Sequence, residues 1–168
     1  LQRWSKSRFD PNAGDTDLKQ DDRPALSPKV ARMSADMKQF AESPRDVQIV
    51  DEAGKPLLGG DHDRRFFEAS WMFKRAGKYY FTYSTGDTHF LAYAIGDNPY
   101  GPFRYTGHIL SPVQGWTSHH SIVQFQNRWW LFYHDTQLSN KNHLRSAKMT
   151  ELTFNPDGTI RLIDPFKP

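Results

Sequence analysis

The chain contains no cysteine, no long apolar segment and no cluster of basic residues. Without cysteine, neither a disulfide framework nor a thiolate metal site can form. No apolar run approaches the roughly 20 residues that a membrane-spanning helix needs, and no signal-peptide pattern opens the chain. The net charge is +3, but basic and acidic residues are interspersed, which is typical of a solvated mixed surface. We therefore expect a soluble, cytoplasmic protein with no nucleic-acid or membrane partner.

Aromatic side chains, in contrast, are abundant: 12 Phe, 7 Tyr and 5 Trp in 168 residues. This content indicates a folded protein with large buried rings, and the length suits one domain or a piece of one. The chain begins at Leu1, without an initiator Met, inside the strand-like stretch "LQRW". We therefore expect further residues upstream in the complete protein.

Turn-forming residues dominate the chain from Ser5 to about Gly60. In this segment we expect mostly loop, with a short helical turn over 34–41 and a strand over 47–51. After Arg65, runs rich in β-branched and aromatic residues alternate with turns. Eight strands are predicted there, in two groups of four: 67–74, 78–85, 90–95, 103–110, 119–125, 128–135, 144–148 and 159–163.

The two groups of strands resemble each other. "FKRAGKYYFTYS" and "FQNRWWLFYH" each combine a strand, a tight polar turn and an aromatic strand, and they lie about 50 residues apart. A repeat of that length with four strands per unit is typical of the blades of a β-propeller. The fold class predicted is all-β, with about two complete four-stranded blades and part of a third. We assign 1–60 to the loop-rich remainder of a preceding blade, 61–112 to one blade and 113–168 to the last blade.

Ionisable side chains open the innermost strand of each predicted blade. Glu68 opens one, and "HHSIVQF" replaces "EASWMF" in the other. Successive strand residues face opposite sides, so only one of His119 and His120 can line the central channel beside Glu68. Matching E-x-S with H-x-S selects His119, whereas matching Phe73 with Phe125 selects His120; we prefer His119. The alternatives are an exposed strand-edge carboxylate and a packed or solvent-facing histidine pair.

Longer stretches of the sequence resemble a known family. "RFFEASWMFKRAGKYYFTYSTGDTHFLAYAIGDNPYGPFRYTGHIL", "GWTSHHSIVQFQNRWWLFYHD" and "LRSAKMTELTFNPDGTI" are similar to the C-terminal half of glycoside hydrolase family 43. This resemblance implies part of a five-bladed propeller of the β-xylosidase or α-L-arabinofuranosidase type. It implies an inverting hydrolase of the O-glycosyl bonds in xylose- or arabinose-containing oligosaccharides, with a role in xylan and hemicellulose degradation.

The resemblance also implies roles for particular residues. Glu68 matches the general acid, which protonates the departing glycosidic oxygen. His119 matches an axial histidine that, in many members, helps to hold a hydrated calcium ion or similar cation in the channel. Arg145 matches a last-blade arginine that can reach the bound sugar. No organic cofactor is implied.

Three further side chains are assigned to substrate binding. Trp71 and Phe67 are aromatic and close to Glu68 in the sequence, so they are candidates to pack on sugar faces; ordinary core packing is the alternative for each. His120 completes this set.

One requirement of the chemistry is not met by these residues. Inversion needs a second carboxylate, roughly 6.5 to 9.5 Å from the first, to act as a base on water. The resemblance places that base, and a third carboxylate that orients the acid, upstream of this chain; Asp10, in "FDPN", is the weak internal candidate. We therefore expect activity when the remaining blades are present, and association of the chain with them or with itself. The alternative function is a non-catalytic, carbohydrate-binding partial propeller.

Overall fold

The structure is a computed structural model that describes residues 21–116 and 118–167. These residues form strands and turns, with no helix among them, so none of the described part offers a helix that could cross a membrane. The strands are β1 (Lys29–Val30), β2 (Arg45–Asp46), β3 (Ile49–Val50), β4 (Glu68–Arg75), β5 (Lys78–Ser84), β6 (Leu91–Gly96), β7 (Phe103–Leu110), β8 (His120–Phe125), β9 (Arg128–Asp135) and β10 (Ser146–Leu152).

Two antiparallel meanders dominate the fold. The first, β4-β5-β6-β7, carries β3 in parallel on its outer edge; the second is β8-β9-β10, and β1 and β2 pair separately. Two-residue turns join β4 to β5 at Ala76–Gly77 and β8 to β9 at Gln126–Asn127, all four residues having positive φ. Such turns match the right-handed twist of the paired strands. The repeated hairpin predicted from the sequence is therefore present in both sheets.

The first sheet is packed on both faces. One face contributes Phe73, Tyr80 and Tyr93 to a core shared with Ile122 and Leu131 of the second sheet. The opposite face packs Phe81, Tyr83 and Phe103 against Val47, Ile49 and Leu57 of the preceding segment. Strand residues alternate between these two cores, because successive side chains point to opposite faces. Sheets stacked face to face in this way confirm the all-β, partial-propeller fold.

The sheets are also joined by hydrogen bonds. The indole N–H of Trp71 on β4 donates to the Ile122 carbonyl on β8 at 2.9 Å. The Tyr80 hydroxyl donates to the Gly158 carbonyl at 2.8 Å, and the Ile160 N–H donates to the Tyr93 hydroxyl at 2.9 Å. The first of these bonds ties together the inner strands of the two blades.

Two predictions of local structure were wrong, and a third gave a strand that is too long. Residues 34–41 form a loop closed by antiparallel pairing and not a helical turn. The Ser34 N–H bonds to the Gln39 carbonyl, and a bridge pairs Met33 with Phe40. The strand predicted over 47–51 is only Ile49–Val50. The strand predicted over 159–163 is reduced to isolated bridges, since Ile160 pairs with Phe154 and Ile163 pairs in parallel with Leu110.

The remaining strands lie close to their predicted positions. Those over 103–110 and 128–135 match the observed bounds, while β10 begins two residues later than predicted and extends to Leu152. The division of the chain at 60 and 112 stays a prediction. Residues 47–57 pack on the first sheet, so the loop-rich segment takes part in its core.

Candidate active site

The inner strands β4 and β8 begin at the same end of the two blades. Glu68 opens β4, and its Cα partner Ser84 closes β5; His120 opens β8 and pairs with Tyr133 near the end of β9. The connections after β5, β7 and β9 therefore all lie at this end of the sheets. We call it the Glu68 end.

Glu68 lies on a β-bulge. Its Cα partner is Ser84, but the next ladder pair is Trp71 with Thr82, so the register shifts between Glu68 and Trp71. Ala69, inside the bulge, has a φ of 62°, in the left-handed region that residues with a Cβ adopt rarely. Bulges re-aim a side chain at the cost of a ladder hydrogen bond and are frequent next to active sites. The bulge presents a carboxyl group that is 35% exposed.

His119 lies beside this carboxyl group. Its Nε2 is 3.3 Å from Oε1 of Glu68, and the imidazole is 52% exposed. The residue precedes β8, and its backbone N–H donates to Nε2 of His134 at 3.0 Å. Of the two histidines that sequence matching left open, His119 is therefore the one next to Glu68.

His134 extends the cluster, although it was not among the predicted site residues. The only available signal was its place near the end of the strand that pairs with the "HHS" strand. Because its Nε2 accepts the His119 N–H, the neutral ring carries its proton on Nδ1, which is buried without a hydrogen-bond partner among the described residues. Burial lowers the pKa of His134, and the nearby positive charges of Arg145 and His119 lower it further. His134 is thus held as a neutral acceptor.

Arg145 lies at the outer end of the same cluster. Its Nη1 is 3.4 Å from Nε2 of His134, and its Nε donates to the Asn142 carbonyl at 3.0 Å. The guanidinium is exposed at the Glu68 end. Glu68, His119, His134 and Arg145 therefore form a polar series, in which the link between the two histidines runs through the His119 backbone N–H.

His120 points away from this series. Its Nε2 shares a 2.6 Å hydrogen bond with the Thr82 hydroxyl, at the seam between the blades. Burial lowers the pKa of His120 to about 3, and the charge of His119 contributes in the same direction. This position gives no support to the predicted role in sugar binding, which stays a prediction.

The two predicted aromatic contacts are both partly buried. Trp71 packs against the core between the blades and uses its N–H on Ile122, as described above. Phe67 lies against Gly86, where a Cβ would come within 2.4 Å of the ring, so only glycine leaves room for it. This placement favours core packing for Trp71, and the predicted sugar contact of Phe67 stays a prediction. Asp10 lies outside the described residues.

The described residues do not by themselves fit a calcium ion. Calcium takes six to eight oxygen ligands, and the side chains at this point are one carboxylate and one imidazole that face each other. No group of three or more histidine, cysteine or acidic side chains with metal-ligand spacing occurs in the described part of the chain. The assignment of His119 to a cation stays a prediction.

Taken together, stacked β-sheets with an acid–imidazole pair at the start of their inner strands define part of a propeller with a polar site at one end. Residues 19–160 match the family described as glycosyl hydrolases family 43. The chain belongs to this family.

Curated relatives agree with the assignment. A xylosidase/arabinosidase of Bacteroides ovatus is 59% identical over 148 residues, which cover 88% of this chain and 46% of that protein. Xylosidase/arabinosidase 43A of Humicola insolens is 62% identical over 138 residues, covering 81% of this chain and 42% of that protein. The chain therefore spans less than half the length of these two relatives.

Solved structures show the same relationship. A β-xylosidase/α-arabinofuranosidase of family 43 from a compost microbial metagenome, in complex with xylotriose and in a calcium-free form, superposes with a TM-score of 0.91 at 59% identity. It is matched over 100% of this chain and 52% of its own. A Xanthomonas citri enzyme of the same family in complex with xylose gives a TM-score of 0.89 at 49% identity, covering 99% of this chain and 50% of its own.

Proposed function

We propose that the complete protein containing this chain is an inverting glycoside hydrolase for xylose- or arabinose-containing oligosaccharides. Glu68 is the proposed general acid. The observation that carries the proposal is the 3.3 Å pair of Glu68 and His119 at the start of the inner strands of a family 43 chain. The names and bound sugars of the relatives support the substrate class.

Each member of the polar series has a proposed part in the reaction. Glu68 donates its proton to the glycosidic oxygen as the bond to the sugar breaks, and so neutralises the departing alkoxide. His119 holds the carboxyl group through Oε1, and Arg145 offers its exposed guanidinium to sugar hydroxyls. His134 keeps His119 and Arg145 in place through the contacts of its Nε2.

Water attack must come from the opposite face of the sugar ring, with a second carboxylate as base. We propose that residues outside the described part of the chain supply this base, since relatives of this family are about twice as long.

The test compares two kinds of substrate in the complete protein. We expect Glu68→Gln to lower turnover of xylo-oligosaccharides about 10²- to 10⁴-fold, the usual contribution of a positioned acid. Aryl glycosides with good leaving groups need little protonation and should lose much less. Steady-state rates on both substrates provide the measurement.

Glu52→Gln is the matched control, because Glu52 is an exposed carboxylate that faces Arg64 at 3.7 Å, away from the polar series. Equal losses on both substrate types would make Glu68 a structural residue and overturn its assignment as the acid. Sugar binding without turnover in the wild-type complete protein would favour the non-catalytic alternative.

A further inference from the structure

An exposed tryptophan lies at the Glu68 end without a role in either core. Trp116 is 53% exposed, in the connection between β7 and β8. It precedes His119 by three residues, so their Cα atoms are at most about 11 Å apart. A large ring left in water forgoes the burial that normally stabilises tryptophan.

The backbone next to Trp116 is firmly anchored. Gly115 has a φ of 118°, and a Cβ at this position would lie 2.9 Å from the Thr136 side chain, so only glycine allows the close approach. Thr136 donates both its N–H, at 3.0 Å, and its hydroxyl, at 3.1 Å, to the Gln114 carbonyl. The exposure of Trp116 therefore belongs to a chain segment that is tied to the next connection.

His89 supports the indole from the neighbouring connection. The two ring centroids are 4.9 Å apart with an interplanar angle of 71°, an edge-to-face arrangement. His89 itself adopts a φ of 62°, which is uncommon for a residue with a side chain. Such backbone outliers persist where the surroundings impose them, and they are frequent at binding sites. One part of the indole is thus covered by His89, and more than half of the residue stays open.

We propose that Trp116, supported by His89, is a stacking platform for a sugar ring of the oligosaccharide that reaches Glu68. The inference rests on the proposed function and adds a binding residue to it. The apolar C–H face of a pyranose can lie on an indole, and burial of the exposed ring favours this contact. The platform contributes to binding of the oligosaccharide and not to proton transfer.

Xylotriose is the probe. Titration calorimetry is done on the complete protein carrying Glu68→Gln, so that xylotriose is bound without being hydrolysed. Addition of Trp116→Ala should weaken the affinity for xylotriose about tenfold, and Trp116→Phe, which keeps a flat ring, should weaken it less. His89→Ala should give an intermediate loss. Saturating xylotriose should also protect Trp116, but not Trp130, from limited oxidation followed by mass spectrometry.

Leu138→Ala is the matched control, because Leu138 is 80% exposed in another connection at the same end and should leave affinity unchanged. Unchanged affinity in Trp116→Ala, or equal oxidation of Trp116 with and without sugar, would overturn the inference. Absence of xylotriose binding by the protein with Trp116 intact would also overturn it, and would count against xylo-oligosaccharides as substrates. The Trp116 and His89 results leave the role of Glu68 untouched, because that role is decided by the leaving-group comparison.

Discussion

At the scale of single residues, His120 shows how the seam between the blades depends on a neutral imidazole. Its Nε2 bonds to Thr82, while its Nδ1 is buried without a partner among the described residues. A charged ring here would lose its hydration without gaining a counter-ion, which is why burial lowers the pKa to about 3. The unfolded chain has no such constraint and keeps the ordinary value of 6.5.

This difference predicts acid sensitivity. Well above pH 6.5 the ring is neutral in both states, so pH has no effect through His120. As pH falls from 6.5 towards 3, only the unfolded chain binds the proton, and the free energy of unfolding should fall by up to about 1.4 kcal/mol per pH unit. Urea unfolding across this range measures the slope.

His120→Gln, which can still reach Thr82, should flatten that slope. A smaller slope should remain, because the pKa of His134 is also lowered. At the acid end of the range, carboxylates whose pKa values are lowered by hydrogen bonds, such as Asp36, Asp157 and Asp164, add to it. His143→Gln is the control, since His143 is exposed and its replacement should leave the slope as it is in the wild type. An unchanged slope in His120→Gln would contradict the assignment of the acid sensitivity to this ring.

At the scale of elements, the hydrogen bond between β4 and β8 should contribute to the free energy of unfolding. The Trp71 N–H is the donor to the Ile122 carbonyl, so Trp71→Phe keeps an aromatic ring in the core but leaves that acceptor without its bond. We expect a loss of about 1 to 3 kcal/mol in the free energy of unfolding, measured by urea denaturation.

Trp129→Phe is a useful comparison, because Trp129 packs on Phe73 in the same core at a centroid distance of 4.8 Å. Its replacement changes ring packing and leaves the Trp71–Ile122 bond intact. A larger loss for Trp129→Phe than for Trp71→Phe would show that ring packing, and not the hydrogen bond, holds the two inner strands together.

Local sequence patterns predicted most of the elements for physical reasons. The hairpins at 76–77 and 126–127 combine turn-forming residues with flanking aromatic strands, and these signals need no distant partner. The strand expected over 159–163 is reduced to isolated bridges, because its backbone pairs with the segment around Phe154 on one side and with the segment around Leu110 on the other. Tertiary contacts of that kind leave no local pattern.

Site residues divide in the same way. Glu68 opens β4 and His119 directly precedes β8, at equivalent places in the repeat, so their proximity could be predicted from the sequence. Trp116 and His134 depend on how separate connections meet at the Glu68 end, and no periodicity in the sequence records such a meeting. Trp71 was close enough in sequence to Glu68 to suggest a contact with sugar. Its indole N–H instead donates to the Ile122 carbonyl between the two blades.

At the scale of the whole molecule, the two terminal faces of the sheets differ. Residues 47–57 cover the outer face of the first sheet, but the second blade presents an apolar face on the side away from the shared core. Ladder pairs place Val123 beside Trp130, and Phe132 beside Met149, on this outer face. Phe125 on the same face is 63% exposed, and Met149 is 57% exposed.

An exposed apolar face of this kind predicts association. Monomers rarely keep a large contiguous apolar patch in water, and its burial contributes roughly 25 cal/mol per Å². We expect the 168-residue chain to pair through this face at micromolar concentration, with a copy of itself or with the remaining blades when they are supplied. Analytical ultracentrifugation should show a species larger than the monomer, and Phe125→Ser combined with Met149→Ser should shift it to the monomer. Leu138→Ser, which changes an exposed residue elsewhere, should not. A sharp, cooperatively unfolding wild-type monomer would contradict the prediction and would mean that residues of the chain itself cover the outer face.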